Sequence, residues 1–387
     1  MARPVLALAA GSVLTFVLGS IHAFSVFVEP WETLLGASRA DVSLTYSFAL
    51  AALTASVLFG HRIFTVLRPP LLALAICLIA AAGAMIAGAA STLPVLWFGY
   101  SLLFGGANGV GYGFALQIAA QAMPERKGLA MGTVTAFYAA GATVSPAAFR
   151  LALDIGHIAG AMHFLAAVLL VAGAAAAICF RLGGAHYRRE EDGPPVQPYI
   201  GALRVQVLLW AGYGTAAMAG LMAIGHAVGM VVSAGATLAT ATAGPVIVSF
   251  CNMTGAVTAG WMVDRVRVTS LMVVLPLVSS GALLLLAAAP GVAPTLGALA
   301  AIGYCYGAII TLYPVAVAER FGARAAARIY GRVFIAWGLA GLAGPWTAGL
   351  LYDRGGDYTG ATLLAAAVGL VSILCVRLLP AQPSPHR

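Results

Sequence analysis

The charges in this 387-residue chain fall in short clusters. Between them lie runs of roughly 18–25 apolar residues, the length that carries an α-helix across ~30 Å of hydrocarbon. Only 8% of the residues are charged and 61% are hydrophobic, whereas a soluble domain carries about 25% charged residues. No core of the chain's own could hide this much apolar surface, and lipid is the solvent that accepts it. Twelve spans are read, at 5–28, 43–60, 70–90, 94–122, 128–152, 158–180, 203–225, 239–262, 269–288, 295–318, 328–351 and 360–379. The fold class is therefore an all-α membrane protein. The 46 glycines would weaken a soluble bundle, but small residues let membrane helices approach closely.

Orientation follows from the excess of Lys and Arg in cytoplasmic loops. With both termini inside, seventeen cationic residues, Arg62, Arg126, Lys127, Arg181 and Arg267 among them, lie on the cytoplasmic side. Only Arg39, Arg150 and Arg354 lie outside. The net charge of +8 is thus an orientation signal and implies no nucleic-acid partner. The five cysteines sit in apolar spans with no metal spacing and read as small buried hydrophobes. The first apolar run, with Arg3 before it and further spans after it, reads as an uncleaved helix rather than a signal peptide.

The longest polar stretch, 181–202, contains Arg188, Arg189, Glu190, Glu191, Asp192 and three prolines. It reads as a cytoplasmic linker between a half at 1–180 and a half at 203–387, six spans each. The halves echo one another. Gly132, Pro146, Asp154 and Gly156 recur as Gly331, Pro345, Asp353 and Gly355, all displaced by 199, and Gly60 recurs as Gly260, displaced by 200.

The segment Gly260-Trp-Met-Val-Asp264-Arg265-Val-Arg267 resembles the loop signature of the major facilitator superfamily. The first half's copy, Gly60-His61-Arg62-Ile63-Phe64, lacks the Asp. The resemblance implies two parallel six-helix halves with the substrate held near the bilayer midplane between them, and a gating role for Asp264 and Arg265. Further segments resemble the oxalate/formate and monocarboxylate porter branch. They are Gly19-Ser-Ile-His22-Ala-Phe24 with Glu29-Pro30-Trp31, Gly105-Gly-Ala-Asn108-Gly109-Val-Gly111-Tyr112-Gly113, Gly220-Leu-Met-Ala-Ile-Gly225-His226, and Trp337-Gly-Leu-Ala-Gly341 through Pro345. Two departures bear on the cargo. Members of the branch often carry Arg four residues after the Asn of the eighth helix, where this chain has Ala256. Some carry Lys in the eleventh helix, near Trp337 here. Without those cations a compact dianion is disfavoured. A monoanion, a larger or aromatic acid, or a neutral molecule gains.

Intramembrane ionisable groups are functional candidates by default, because a charge at the bilayer centre costs roughly 3 kcal/mol or more. No Asp or Glu lies deep in any span, which argues against proton coupling through a buried carboxylate. His22 and His226, in the first and seventh spans, are the candidates for both proton coupling and substrate binding. Imidazole titrates near pH ~6.5 and both donates and accepts hydrogen bonds. It can hold a carboxylate when charged and release it when neutral. The competing assignment is a helix–helix hydrogen bond. Asn108, Tyr112, Asn252, Tyr306 and Trp337 are further substrate-binding candidates, each of which also has an ordinary packing role open to it. Tyr138 and Tyr304 are possible cavity walls. His163, Arg150 and Arg332 are weaker candidates: either arginine can supply the cation the cavity lacks, and snorkelling to the interface is the competing assignment for both.

Phosphate-loop, zinc-protease and serine-hydrolase motifs are absent, so no enzyme activity, cofactor or metal is expected. The expected function is secondary transport of a small organic anion, foremost a monocarboxylate such as lactate. It would proceed by alternating access with a proton or by exchange, in a bacterial inner membrane and as a monomer. Two other readings stand: an exporter of hydrophobic or aromatic compounds, and a transporter-like receptor that signals without flux.

Overall fold

The computed structural model describes residues 4–187, 202–241, 243–288 and 291–380. Among them there are helices and no strands. The helices are α1 (Pro4–Leu18), α2 (Val28–Leu35), α3 (Arg39–Gly60), α4 (Pro69–Gly88), α5 (Leu93–Leu96), α6 (Gly105–Ala122), α7 (Lys127–Leu182), α8 (Ala202–Ile224), α9 (Ala227–Ser233), α10 (Leu238–Ala241), α11 (Ala243–Val263), α12 (Val268–Ala288), α13 (Val292–Gly355) and α14 (Thr359–Arg377). The longest two are not single rods. α7 breaks at Gly156 and His157, and α13 breaks at Gly322, where φ is +78°. Two non-α stretches extend others. A 3-10 segment, Gly19–Phe27, joins α1 to α2, and a π-helical segment, Trp97–Phe104, joins α5 to α6. Counted this way the described residues make twelve helical spans. The first reaches Leu35, beyond the expected end at 28, because Trp31 is fully buried and holds the last turns against the bundle.

Local sequence explains the boundaries. Ser38 caps α3 by accepting the Asp41 N–H and donating to the Asp41 carboxylate at 2.7 Å. Prolines open α4, where an N–H would lack a partner anyway. α7 stops at Gly184, with φ of +60°: the Ala185 N–H reaches Phe180 O and the Gly184 N–H reaches Arg181 O. This pairing satisfies the last carbonyls.

The chain divides into two compact units, Met1–Arg189 and Glu190–Arg387. Most of the expected linker, 188–201, lies outside the described residues. Each unit exposes large apolar side chains, including Leu78, Val171, Val246 and Trp346, a surface suited to lipid rather than water. Among the described residues, ten helical stretches are long and apolar enough to cross a membrane.

Within each unit a close helix pair is built on glycine. In unit 1 an added Cβ at Gly109 would sit 2.1 Å from Leu53 O, so α6 and α3 meet backbone to backbone. In unit 2 an added Cβ at Gly307 would sit 1.9 Å from Asn252 O, so α13 and α11 do the same. The two contacts are offset by about 200 residues, and small residues are what permit such packing in lipid. Interhelical hydrogen bonds add to it. Thr15 donates to Val134 O at 2.9 Å, Ser101 to Thr45 O at 2.6 Å, and Ser280 to Ala366 O at 3.1 Å.

Candidate functional site

In unit 1 the candidate residues form one connected set. His22 sits in the 3-10 segment. Its Nδ1 lies 2.7 Å from the Tyr46 hydroxyl of α3, and its ring meets Tyr138 of α7 edge-on at 5.4 Å. Tyr138 donates to Asn108 Oδ1 at 3.0 Å and lies 5.0 Å from the Tyr112 ring. Asn108, fully buried, donates through Nδ2 to Leu18 O. His22 is only part-buried. Among the described residues its Nε2 makes no hydrogen bond, and that atom is not sealed from its surroundings.

The backbone irregularity places this imidazole. A 3-10 run longer than about four residues is uncommon, and here it lasts nine. Side-chain donors hold it, since Asn108 takes Leu18 O, the Tyr100 hydroxyl takes Ile21 O at 3.3 Å, and Ser20 takes Val17 O at 2.6 Å. Tyr100 is aimed there by the π-helical segment and also packs on Phe24 at 5.1 Å. Neither irregular stretch was visible in the hydropathy pattern.

In unit 2 the candidates fall into three places. His226 lies at the break between α8 and α9. Its Nε2 is 2.9 Å from Pro345 O, and its Nδ1 is 3.5 Å from the Tyr358 hydroxyl. Both nitrogens thus face groups of its own unit. Trp337 donates its indole N–H to the Tyr306 hydroxyl at 2.8 Å and stacks on Phe334 at 4.9 Å. Asn252, half-buried on α11, lies against Gly307, and the Tyr304 hydroxyl pairs with Thr258 at 2.7 Å.

The weaker candidates lie on surfaces. His163 is exposed on α7. Arg150 is exposed beside Glu29, Asp154 and His157 in an open cavity of about 900 Å³ at one end of unit 1. Arg332 is exposed and reaches Gln206 Oε1 at 3.4 Å. Asp264 directly follows α11. Arg265 folds back on that helix, donating to Trp261 O at 2.9 Å and lying 4.1 Å over the Trp261 ring. In unit 1, Phe64 stands at the position where the second copy of the signature has Asp264. It is 2% exposed, packed against Phe114 and Tyr187 at 5.6 and 5.5 Å. The lost carboxylate is replaced by an aromatic cluster that gathers the chain leaving α7. Among the described residues no group of His, Cys, Asp or Glu is placed to hold a metal ion.

Sequence reasoning missed Tyr46 and Tyr100. Each is a single tyrosine in an apolar span, and only the fold brings it to the first helix.

The comparisons with known proteins agree with this architecture. The model of the Major Facilitator Superfamily matches residues 8–331. A curated relative, the uncharacterized MFS-type transporter YhjX of Escherichia coli (strain K12), is 25% identical over 342 residues, covering 86% of this chain and 84% of its own. Among solved structures, the transporter FucP in its outward conformation superposes with a TM-score of 0.73 at 13% identity, covering 96% of this chain and 97% of its own. The proton:xylose symporter XylE superposes with a TM-score of 0.72 at 13% identity, covering 97% of this chain and 96% of its own. At that identity the superpositions speak to fold alone, and they agree with the twelve-helix reading. With its apolar exterior, its paired helical units and a family model that covers most of its length, this multi-pass membrane protein is a transporter and not an enzyme, and it belongs to the Major Facilitator Superfamily.

Proposed function

We propose that the protein is a secondary transporter of a small monocarboxylate such as lactate, carried with a proton or in exchange by alternating access. The observation that carries this reading is His22: a titratable ring, fixed at Nδ1 by Tyr46, with Nε2 unengaged. A charged imidazole binds a carboxylate through a charge-assisted hydrogen bond, and loss of its proton weakens that hold. The missing cations at Ala256 and Trp337 favour one carboxylate over two. XylE, similar in fold, is a proton:xylose symporter. The motifs shared with the oxalate/formate and monocarboxylate branch support the same cargo class.

The sequence left His22 and His226 both open as the coupling residue. The geometry favours His22, because the nitrogens of His226 already face Pro345 and Tyr358. Tyr112, Asn252, Tyr306 and Trp337 complete the proposed binding surfaces. Asn108 acts by holding the first helix in shape. Asp264 and Arg265 serve gating. The halves at 1–180 and 203–387, both termini in the cytoplasm, a bacterial inner membrane and a monomeric state belong to the same proposal.

The test is uptake of radiolabelled lactate into proteoliposomes under an inward proton gradient. Accumulation driven by the gradient is the expected result. Folded protein with no flux of lactate or related acids would remove the reading. It would also advance the export of hydrophobic or aromatic compounds, which the neutral, aromatic Trp337–Tyr306–Phe334 group of unit 2 favours.

A further inference from the structure

We propose that Tyr46 is a positioning residue: its hydroxyl fixes the neutral His22 ring in the Nε2-protonated form and so presents a hydrogen-bond donor to the carboxylate of the cargo. The proposal rests on the reading of His22 as the carboxylate-binding group and deepens it.

A phenol in an apolar span keeps its proton and gains by donating it to an acceptor. The acceptor at 2.7 Å is His22 Nδ1. A neutral imidazole that accepts at Nδ1 carries its own proton on Nε2, and Nε2 is the atom left unengaged. A carboxylate only accepts. Had the proton been on Nδ1, the Nε2 lone pair would face the carboxylate and repel it.

The surroundings hold this choice in place. The Tyr46 ring stacks on Phe24 at 5.8 Å with 13° between planes, and Phe24 stacks on the fully buried Trp31 at 5.6 Å. The other titratable group facing His22 is Tyr138 from α7. Its hydroxyl is committed to Asn108 Oδ1, and that of Tyr100, from the neighbouring π-helical segment, goes to Ile21 O. Neither competes for Nδ1.

The same contact serves the charged state. When a proton arrives at Nδ1, the new N–H donates to the Tyr46 oxygen, and the hydroxyl proton turns away and gives up His22 as its acceptor. The partner is unchanged and only the direction of the bond reverses. Nε2 remains a donor throughout, so the ring takes up its proton without turning away from the cargo.

The test uses full-length protein with ¹⁵N-labelled histidine, reconstituted in lipid, as wild type and Tyr46→Phe. The His22→Ala spectrum identifies the His22 signals. At alkaline pH the wild type is expected to show the Nε2–H form alone, and Tyr46→Phe a mixture of both forms. In parallel, calorimetry of lactate binding is expected to show affinity weakened about threefold to tenfold by Tyr46→Phe, with no further effect in a His22→Ala background. A wild-type Nδ1–H signal, or identical spectra for wild type and Tyr46→Phe, would overturn the assignment. An equal cost of Tyr46→Phe in both backgrounds would also overturn it, since that marks a packing role. If lactate does not bind the wild type, the cargo reading falls, and the spectra alone decide the placement of the proton.

Discussion

The two units share a scaffold and differ in the chemistry mounted on it. Gly109 against Leu53 in unit 1 and Gly307 against Asn252 in unit 2 are the same backbone contact, repeated about 200 residues apart. Tyr138 and Trp337 also correspond, displaced by 199. Each spends its one donor on a neighbouring polar side chain, Tyr138 on Asn108 and Trp337 on Tyr306. The likeness ends there. Unit 1 adds His22 with an open nitrogen, while unit 2 closes His226 between Pro345 and Tyr358. Even the loop signature has parted, with Asp264 in one half and buried Phe64 in the other. Duplicated membrane halves are thus held to one geometry by the glycines that let backbones touch. Their polar side chains are free to diverge.

The largest expected effect tests the shared scaffold. Gly307→Val and Gly109→Val each force a Cβ into a facing backbone carbonyl and should cost about 3 kcal/mol, with loss of folded protein on extraction into detergent. Normal yield and melting temperature for both would break the claim that this contact holds each unit. The next effect separates the units. His22→Ala should lower proton-driven uptake by at least about tenfold, the loss of one charge-assisted hydrogen bond. His226→Ala should leave the pH profile intact and cost about 1 kcal/mol in stability through its lost helix contacts. A smaller effect concerns Trp337→Phe, which keeps the stack on Phe334 and removes the indole donor. It should cost about 1 kcal/mol in melting experiments.

The smallest prediction exposes a further difference. His157, at the break in α7, has φ +53° and ψ −159°, a region that costs a side-chain-bearing residue about 1–3 kcal/mol. The repeat puts Gly356, with φ +76°, at the corresponding place in unit 2. His157→Gly should therefore raise thermal stability by about 1 kcal/mol. No gain would mean that contacts of the His157 side chain offset the backbone cost.

Much of the fold was legible because lipid imposes a length on every helix. The spans from 43–60 onward were found within a few residues, including the division of α7 and α13, which long continuous helicity would have hidden. The repeat was legible through glycines and prolines that backbone geometry demands. The arrangement around His22 was not. Its 3-10 segment arises from carbonyls that Asn108, Tyr100 and Ser20 capture across the fold, and no local pattern announces such partners. Asn108 read as a binding candidate because a polar group in lipid needs a partner. The structure gives it two, both within unit 1. His226 read as a coupling candidate ahead of His22 because sequence shows the residue and not its neighbours.

The most direct test of this account is the pH dependence of lactate uptake into proteoliposomes by wild type, His22→Ala and His226→Ala, side by side under an imposed proton gradient. Gradient-driven uptake that survives in His226→Ala and is lost in His22→Ala is the predicted result. Uptake at wild-type rates, with an unchanged pH profile, in His22→Ala would contradict it.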